Sequence, residues 1–548
     1  TNPANPFKAP LYWNPYEYCY TKDGSIPEDI WSQNIDWVEA NLKPYGYNMI
    51  CIDGWGDIKA NITYNENGYL TSHSDRWTHD FAWWSANLQS RGMTLGMYQN
   101  PLWVYKDAAN AGALIKGTSI PLSNIIDLSE NGSFGFTWVQ INNDGAEEYV
   151  KGYIQHFADM GIKYLRVDFL SWFESGYDRN IGRVGPSRPK ADYEKALRWM
   201  REACDANDML LSLVMPNLAN EAELEQKYGH MIRINDDCAT GEWERLNNFD
   251  RGMRRNEWSQ WGSTLDGLAY WSYIAGRNKI ALDGDFIRLN TFANDDERKT
   301  AISANLVAGG PVSPADQYNT IGTNLWLYQN TEMLALNEDK FVGKPLSNDP
   351  TNVNSQVWKG QMSNGDWIVG LFNREDTAQT RSINFATDLG LTASSDARDL
   401  WEHTDLGTMT AYSASIPAHG CIILRISPSV SNKVVSPVLS LAGGTYTSTQ
   451  SVTLSTTTAG AIIKYTTDGS TPNSSSTVYT GSISVSESKT IKAYATKSGM
   501  ADSNISQAIY RINPAPPSPW LHGDIGSVNT GGTAGYSGGS FNNTGAGA

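Results

Sequence analysis

The stretch KYLRVDF at residues 163–169 reads as a β-strand that ends on a carboxylate, and its period-2 geometry puts Arg166 and Asp168 on the same face. Working outward, similar runs recur at LYWNPYEY (11–18), MICIDGW (49–55), LGMYQN (95–100), LLSLVMP (210–216), HMIRINDD (230–237) and KIALDG (279–284). An eighth, poorly defined, lies near VAGGPVSPAD (307–316). Amphipathic helix candidates separate them, among them EDIWSQNIDWVEANLKPYG, GAEEYVKGYIQHFADMG, ADYEKALRWMREACDAN and EWERLNNFDRGMRRNEWSQW. Seven or eight such repeats predict an α/β fold, a (β/α)8 TIM barrel over residues 1–325, in preference to an open doubly wound sheet.

After residue 325 the texture changes to alternating short strands, which predicts an antiparallel β-sandwich of Greek-key type over 326–426. SPSVSNKVVSP gives a linker at 427–436, and a small immunoglobulin-like β-module follows at 437–512, with Asp468-Gly469 as a hairpin turn. NPAPPSP at 513–519 is a stiff proline linker, and 520–548 reads as a fragment of a further accessory module.

The 548-residue chain has a formal charge of −16, which disfavours nucleic acid and anionic membranes, and no basic stripe offsets it. No run of about 18 apolar residues suggests a membrane span. The opening TNPANPFKAP lacks a basic n-region and an apolar h-region and reads as a mature or trimmed terminus. The polar, Ser/Thr-rich C-terminal third suggests a secreted or cell-surface protein of bacterial origin. Five scattered cysteines form no CxxC, and the histidines show no HxxxH, so no metal and no cofactor is expected. The spaced carboxylates of DGDFIRLNTFANDDE (283–297) lack the calcium-loop pattern and read as a loop with a helix start. The chain is rich in aromatics, with 20 Trp, 27 Tyr and 14 Phe, which suit either core packing or sugar faces. Trp55, Trp103 and Trp172 follow strands and are the better sugar-contact candidates, whereas Trp83, Trp84, Trp258 and Trp261 read as core.

In a barrel, chemistry sits at the C-terminal strand ends. Asp53, Asp168 and Asp237 end the second, fourth and sixth strands. A retaining glycosidase needs two carboxyls about 5–5.5 Å apart, one ionised and one protonated. Arg166 beside Asp168 would lower the first pKa, and Asp236 beside Asp237 would help raise the second.

These residues resemble glycoside hydrolase family 27, in clan D with the α-galactosidases, α-N-acetylgalactosaminidases and isomaltodextranases. The likeness runs in order through CIDGW, GMY, YLRVDF, RINDDCATGEW, NTEMLALNEDKFVGKP and the block ARDLWEHTDLGTMTAYSASIPAHGCIILRI. The resemblance implies Asp168 as nucleophile, Asp237 as acid/base and Arg233 as a sugar contact or orienter of the carboxylates. It also implies substrate contacts from Trp13, Asp53, Tyr98, Arg166 and Asp316. Two departures matter. Gly54 replaces the second acid of the family's Asp pair, and Asp57 in the same loop is the candidate to substitute for it. The fifth-strand loop is Val214-Met215-Pro216 where α-galactosidases carry a glutamate that reads the 2-hydroxyl. A site without that carboxylate tolerates a different C2 group or a different sugar. The expectation is therefore a retaining exo-α-glycosidase acting on an oligosaccharide, glycan or polysaccharide with terminal α-galactose-type residues that carry a C2 amino or acetamido group. Two alternatives stand beside it: hydrolysis of α-1,6-glucans in the manner of isomaltodextranases, and sugar binding without catalysis. Residues 437–512 resemble the immunoglobulin-like repeat at the ends of chitobiases.

Overall fold

The computed structural model describes residues 2–53, 63–130, 135–218, 222–238, 241–252, 258–428 and 433–512, and the backbone of 533–537 and 540–544. Seven strands, β1 (Tyr12–Trp13), β2 (Met49–Ile52), β3 (Thr94–Tyr98), β4 (Tyr164–Val167), β5 (Leu210–Leu213), β6 (Met231–Arg233) and β7 (Ala281–Asp283), lie side by side in chain order. Every neighbouring pair is parallel. Residues 312–315 close the ring. Tyr12 N donates to Val312 O and Asn14 N to Pro314 O, both at 3.2 Å, while Ile287 N donates to Ser313 O at 2.9 Å and Ala315 N to Ile287 O at 2.8 Å. This eighth strand is only a set of bridges because Pro311 and Pro314 bring no backbone donors to a ladder.

The connecting helices follow from apolar stripes and caps. Ala146–Asp159 buries Tyr149, Val150, Tyr153, Ile154 and Phe157 along one face. Asp80, Ser263 and Asn294 accept the first-turn amides of the helices Phe81–Ser90, Thr264–Trp271 and Asp295–Val307. The segment after β6 departs from expectation. Among its described residues, EWERLNNFDRGMRRNEWSQW has a π-helical turn at Glu244–Asn248 capped at Phe249, after which Asp250 and Gly252 take positive φ (51° and 73°) and turn the chain away.

Inside the barrel, the pleat sorts side chains into layers. Tyr12, Met49, Cys51, Tyr164, Leu210, Met231, Phe286 and Ala315 form an apolar floor. At Gly96 of β3 a Cβ would lie 3.0 Å from both Met49 Sδ and Tyr164 Cδ1, so that strand yields its place to the larger neighbours. Two residues further along the strands come Tyr98, Arg166, Ser212, Arg233 and Asp283, a polar layer directly under the barrel mouth.

By backbone contacts the chain falls into two compact units, Thr1–Leu389 with Ala411–Arg425, and Gly390–Thr410 with Ile426–Ala548. Beyond the barrel, the first unit holds antiparallel strands Val357–Gln361 and Trp367–Phe372 and the pair Gln379–Asn384 with Ala411–Ile416. Val369, Leu371, Ile383 and Ile416 are buried there. The second unit contains an immunoglobulin-like module whose five-stranded sheet includes Ile462–Thr466, Lys489–Thr496 and Ser506–Ile512 around a core of Val452, Val485, Ile491, Ala493 and Tyr510.

Candidate active site

Asp168 stands one residue past β4, half-buried, with each carboxylate oxygen oriented by a donor: Tyr98 Oη to Oδ2 and Phe169 N to Oδ1, both at 2.7 Å. Phe169 pays for that geometry with φ of 63°, an unusual conformation for an aromatic residue. The Asp168 carbonyl accepts Asn100 Nδ2 at 2.8 Å, and Ser171 N donates to Met215 O at 2.7 Å, so the turn is fastened to β3 and to the fifth-strand loop.

Asp237 lies at the end of the strand-6 segment with its side chain 60% exposed. Arg233 joins it to the seventh strand's loop, placing Nη2 2.5 Å from Asp237 Oδ1 and Nη1 2.9 Å from Asp285 Oδ1. Asp285 is held in turn by Cys238 N at 2.7 Å. Asp236 accepts Asp237 N at 3.0 Å through Oδ1 and Arg179 Nη2 at 2.6 Å through Oδ2.

Arg166 is buried beneath this pair. Its Nη1 lies 2.5 Å from Asp283 Oδ2, its Nη2 3.7 Å from Asp285 Oδ1, and its Nε 2.9 Å from Asp53 Oδ2, an ion pair without hydrogen-bond alignment. The guanidinium also covers Phe286 at 4.8 Å.

The electrostatics refine the expectation from sequence. Burial raises the Asp168 pKa, the charge of Asp237 adds to this, and Tyr98, the Phe169 amide and Arg166 oppose it with less effect. The adjacent arginine does not win, because its charge is shared among Asp53, Asp283 and Asp285. Burial, with help from Asp168, Asp285 and Asp283, pushes Asp53 up to about 8 against the pull of Arg166. Asp236 is raised by burial and by Asp237, with Arg179 opposing.

The structure thus brings Asp53, Tyr98, Arg166, Asp168, Arg233 and Asp237 to one end of the barrel, and of the other expected residues it describes Trp13, Val214 and Asp316. Arg166 and Asp53, with side chains 1% and 3% exposed, offer almost no surface to a sugar, and the expected contacts become an ion pair beneath the site. Trp13 is fully buried against Trp31, with Nε1 on Asp316 O at 2.8 Å. Asp316 is fully buried too, accepting Leu289 N, Asn290 N and Tyr328 Oη at 3.0, 3.0 and 2.6 Å, so both residues lock the strand-8 loop to the first strand and to the segment after β7. Val214 is buried, and Met215 beside it, at φ 48°, carries the exposure in the fifth-strand loop. Trp103, stacked on Phe136 at 4.1 Å, is core, and Trp172 is buried with Nε1 on Asp178. Gly54, Trp55 and Asp57 lie outside the described residues.

Four residues at the site were not among those expected, although Asp283, at the end of β7, carried the same strand-end signal as Asp168. Asp283 and Asp285 are the i, i+2 carboxylates of LDGD, and two buried arginines required them. Tyr16 lies among Phe286, Tyr20 and the site carboxylates, its pKa raised first by burial and then by Asp237 and Asp285. Arg179 reaches in from the loop after β4. Among the described residues no group of three or more His, Cys, Asp or Glu side chains is arranged to hold a metal ion, and no helix is long and apolar enough to cross a membrane.

Residues 352–426 match the model of the α-galactosidase C-terminal β-sandwich domain, and residues 441–507 that of the chitobiase/β-hexosaminidase C-terminal domain. Isomalto-dextranase of Arthrobacter globiformis is 43% identical over 440 residues, 77% of this chain and 67% of that protein. The solved structure of the Arthrobacter globiformis T6 enzyme, complexed with panose, superposes with a TM-score of 0.75 at 33% identity, covering 93% of each chain. An α-galactosidase of Oryza sativa is 21% identical over 426 residues, 76% of this chain and 84% of that one. The family 27 β-L-arabinopyranosidase of Geobacillus stearothermophilus shares the fold, with a TM-score of 0.61 at 20% identity over 77% of this chain and 97% of that one. Its barrel, its sandwich and this degree of identity make the chain a member of glycoside hydrolase family 27, alongside the isomalto-dextranases and α-galactosidases.

Proposed function

We propose that the chain hydrolyses α-1,6-linked glucans by double displacement, with Asp168 as nucleophile and Asp237 as acid/base. The 43% identity with an isomalto-dextranase carries the choice of sugar, against 21% for the rice α-galactosidase. The fifth-strand loop supports it: Val214-Met215-Pro216 offers no carboxylate, so a site of the α-galactosidase type lacks one of its hydroxyl acceptors here. The galactosaminide reading rests on that same vacancy alone and is the less supported of the two.

In the first step Asp168 forms a bond to the anomeric carbon as the glycosidic C–O bond breaks and Asp237 gives its proton to the leaving oxygen. In the second, Asp237 takes a proton from water, which attacks the anomeric carbon and releases Asp168. Tyr98 and the Phe169 amide keep the nucleophile aimed, and Arg233 holds the exposed Asp237 at the mouth.

The test is sugar release from dextran, compared with nitrophenyl α-glucoside, α-galactoside and α-N-acetylgalactosaminide, with the anomer of the first product read by NMR. Dextran cleavage with retention is expected. Turnover confined to galactosides or galactosaminides, or an inverted product, would overturn the reading.

A further inference from the structure

Directly after Asp168 the chain forms a short helix, Leu170–Ser175, and then a hairpin in which Tyr177–Asp178 pairs with Gly182–Arg183. The hairpin is rigidly mounted. At Gly176 (φ 62°) a Cβ would lie 2.2 Å from Gly185 O, so the two legs touch there. Val184 N donates to Gly176 O at 2.9 Å, and Asp178 Oδ1 accepts the amides of Asn180 and Ile181 at 2.8 and 3.0 Å across the tip. Arg179 projects from this tip onto the segment that follows β6. Its Nη2 meets Asp236 Oδ2 at 2.6 Å, its Nη1 lies 4.0 Å from Asp250 Oδ2, and its guanidinium sits 5.6 Å from the Phe249 ring.

Asp236 is buried and immediately precedes the acid/base, whose own amide donates to it. A buried carboxylate in that place needs a cation, and Arg233 is committed to Asp237 and Asp285. We propose that Arg179 is a positioning residue for catalysis: by pairing with Asp236 it clamps the nucleophile's hairpin to the acid/base loop and balances the charge beside Asp237. This inference rests on the assignment of Asp237 as the acid/base. Asp237 is faced by Arg233 from β6, Asp285 from the loop after β7, Tyr16 from the helix after β1, Asp168 from the end of β4 and Asp236 from its own loop. Arg166 faces Asp168 and Asp285 of that group from below, and Arg179 adds its positive charge at Asp236.

The experiment compares the full chain with Arg179→Gln, Arg179→Lys, Asp236→Asn and the Arg179→Gln/Asp236→Asn double variant, each confirmed as folded by its melting curve. Activity is measured from pH 4 to 9 on dextran and on nitrophenyl α-glucoside. Loss of the cation favours the protonated carboxyls, so Arg179→Gln is expected to move the alkaline limb of kcat/KM on dextran upward by about half to one pH unit. It is also expected to lower kcat on dextran about tenfold while sparing the nitrophenyl substrate, whose leaving group needs little proton. Arg179→Lys restores the limb. Asp236→Asn moves it downward, and in that background Arg179→Gln shifts it much less, because the two charges act as a pair. An unmoved limb in Arg179→Gln, an equal loss on both substrates, or additive shifts in the double variant would overturn the proposal. If Arg179→Gln alone fails to fold, Arg179→Lys and Asp236→Asn decide through their limbs. Wild-type protein inactive on both substrates would instead refute the functional reading above, so the two failures are distinct.

Discussion

Arg166 Nη1 and Asp283 Oδ2 meet at 2.5 Å inside the barrel and join the fourth strand to the seventh. Asp53 from the second strand and Asp285 from the seventh strand's loop share the same guanidinium. Replacing Arg166 with methionine removes the cation and leaves Asp53 and Asp283 buried without it. Chemical denaturation is expected to show a loss of about 3–5 kcal/mol, the usual cost of breaking a buried pair. Arg166→Met/Asp283→Leu should recover part of that loss in stability but not in activity. A single variant as stable as the wild type would contradict this role.

Asp168→Ala and Asp237→Ala should both keep the wild-type melting temperature within a few degrees, since Asp168 is half-buried and the Asp237 side chain is 60% exposed. Their kinetics should differ. Asp168→Ala loses about 10⁴-fold or more on every substrate. Asp237→Ala loses about 10²–10⁴-fold on dextran but far less on nitrophenyl α-glucoside, because an acid matters least where the leaving group is already good. Similar losses on both substrates for Asp237→Ala would contradict its role.

Tyr98→Phe removes the donor on Asp168 Oδ2 and nothing from the barrel floor. A hydrogen bond to an ionised group is worth about 1.5–3 kcal/mol, so kcat on dextran should fall about 10–100-fold. The lost donor favoured the charged carboxylate, and the acidic limb of the pH profile should therefore move upward. An unchanged acidic limb would show that the phenol does not stabilise the Asp168 carboxylate.

Glu174 tests the pH dependence of stability away from Asp168 and Asp237. Its carboxyl is buried, and burial together with neighbouring Glu225 pushes its pKa from 4.5 up to about 7, with Lys190 opposing. The folded chain therefore holds more protons at this group than the unfolded chain between pH 4.5 and 7, and stability falls as pH rises through that window. Glu174→Gln should lessen the wild-type loss of stability between pH 4.5 and 7.5 by about 3 kcal/mol, measured by denaturation at both ends. Parallel pH curves for the two proteins would exclude this contribution.

The barrel strands were legible because a sheet covered on both faces is written as short apolar runs. KYLRVDF contains Tyr164–Val167, and LLSLVMP contains Leu210–Leu213. LYWNPYEY was legible only in its first half, since the chain turns at Asn14-Pro15 and continues as the helix Tyr16–Lys22. The site carboxylates at the ends of β4 and of the strand-6 segment stood out by position. Asp283 carried the same positional signal, as the last residue of β7 with Asp285 two residues on, whereas Tyr16 and Arg179 had none, because what makes them part of the site is a meeting across the barrel or between loops, which no local spacing encodes. The tryptophans mislead for the same reason. Trp103 and Trp172 follow strands as subsite residues do, yet Phe136 and Asp178 hold them inward.

The closure of the ring by residues 312–315 bears on how the chain folds. The first strand's Trp13 hydrogen-bonds to Asp316 across 303 residues of sequence, and Asn14 to Ser313 across 299. Contacts so remote cost loop-closure entropy early and return stability late. During synthesis β1 therefore keeps one open edge until almost the whole barrel has emerged. The first strand, only Tyr12–Trp13 long, presents little of the exposed β-edge that would otherwise recruit a wrong partner in the interval.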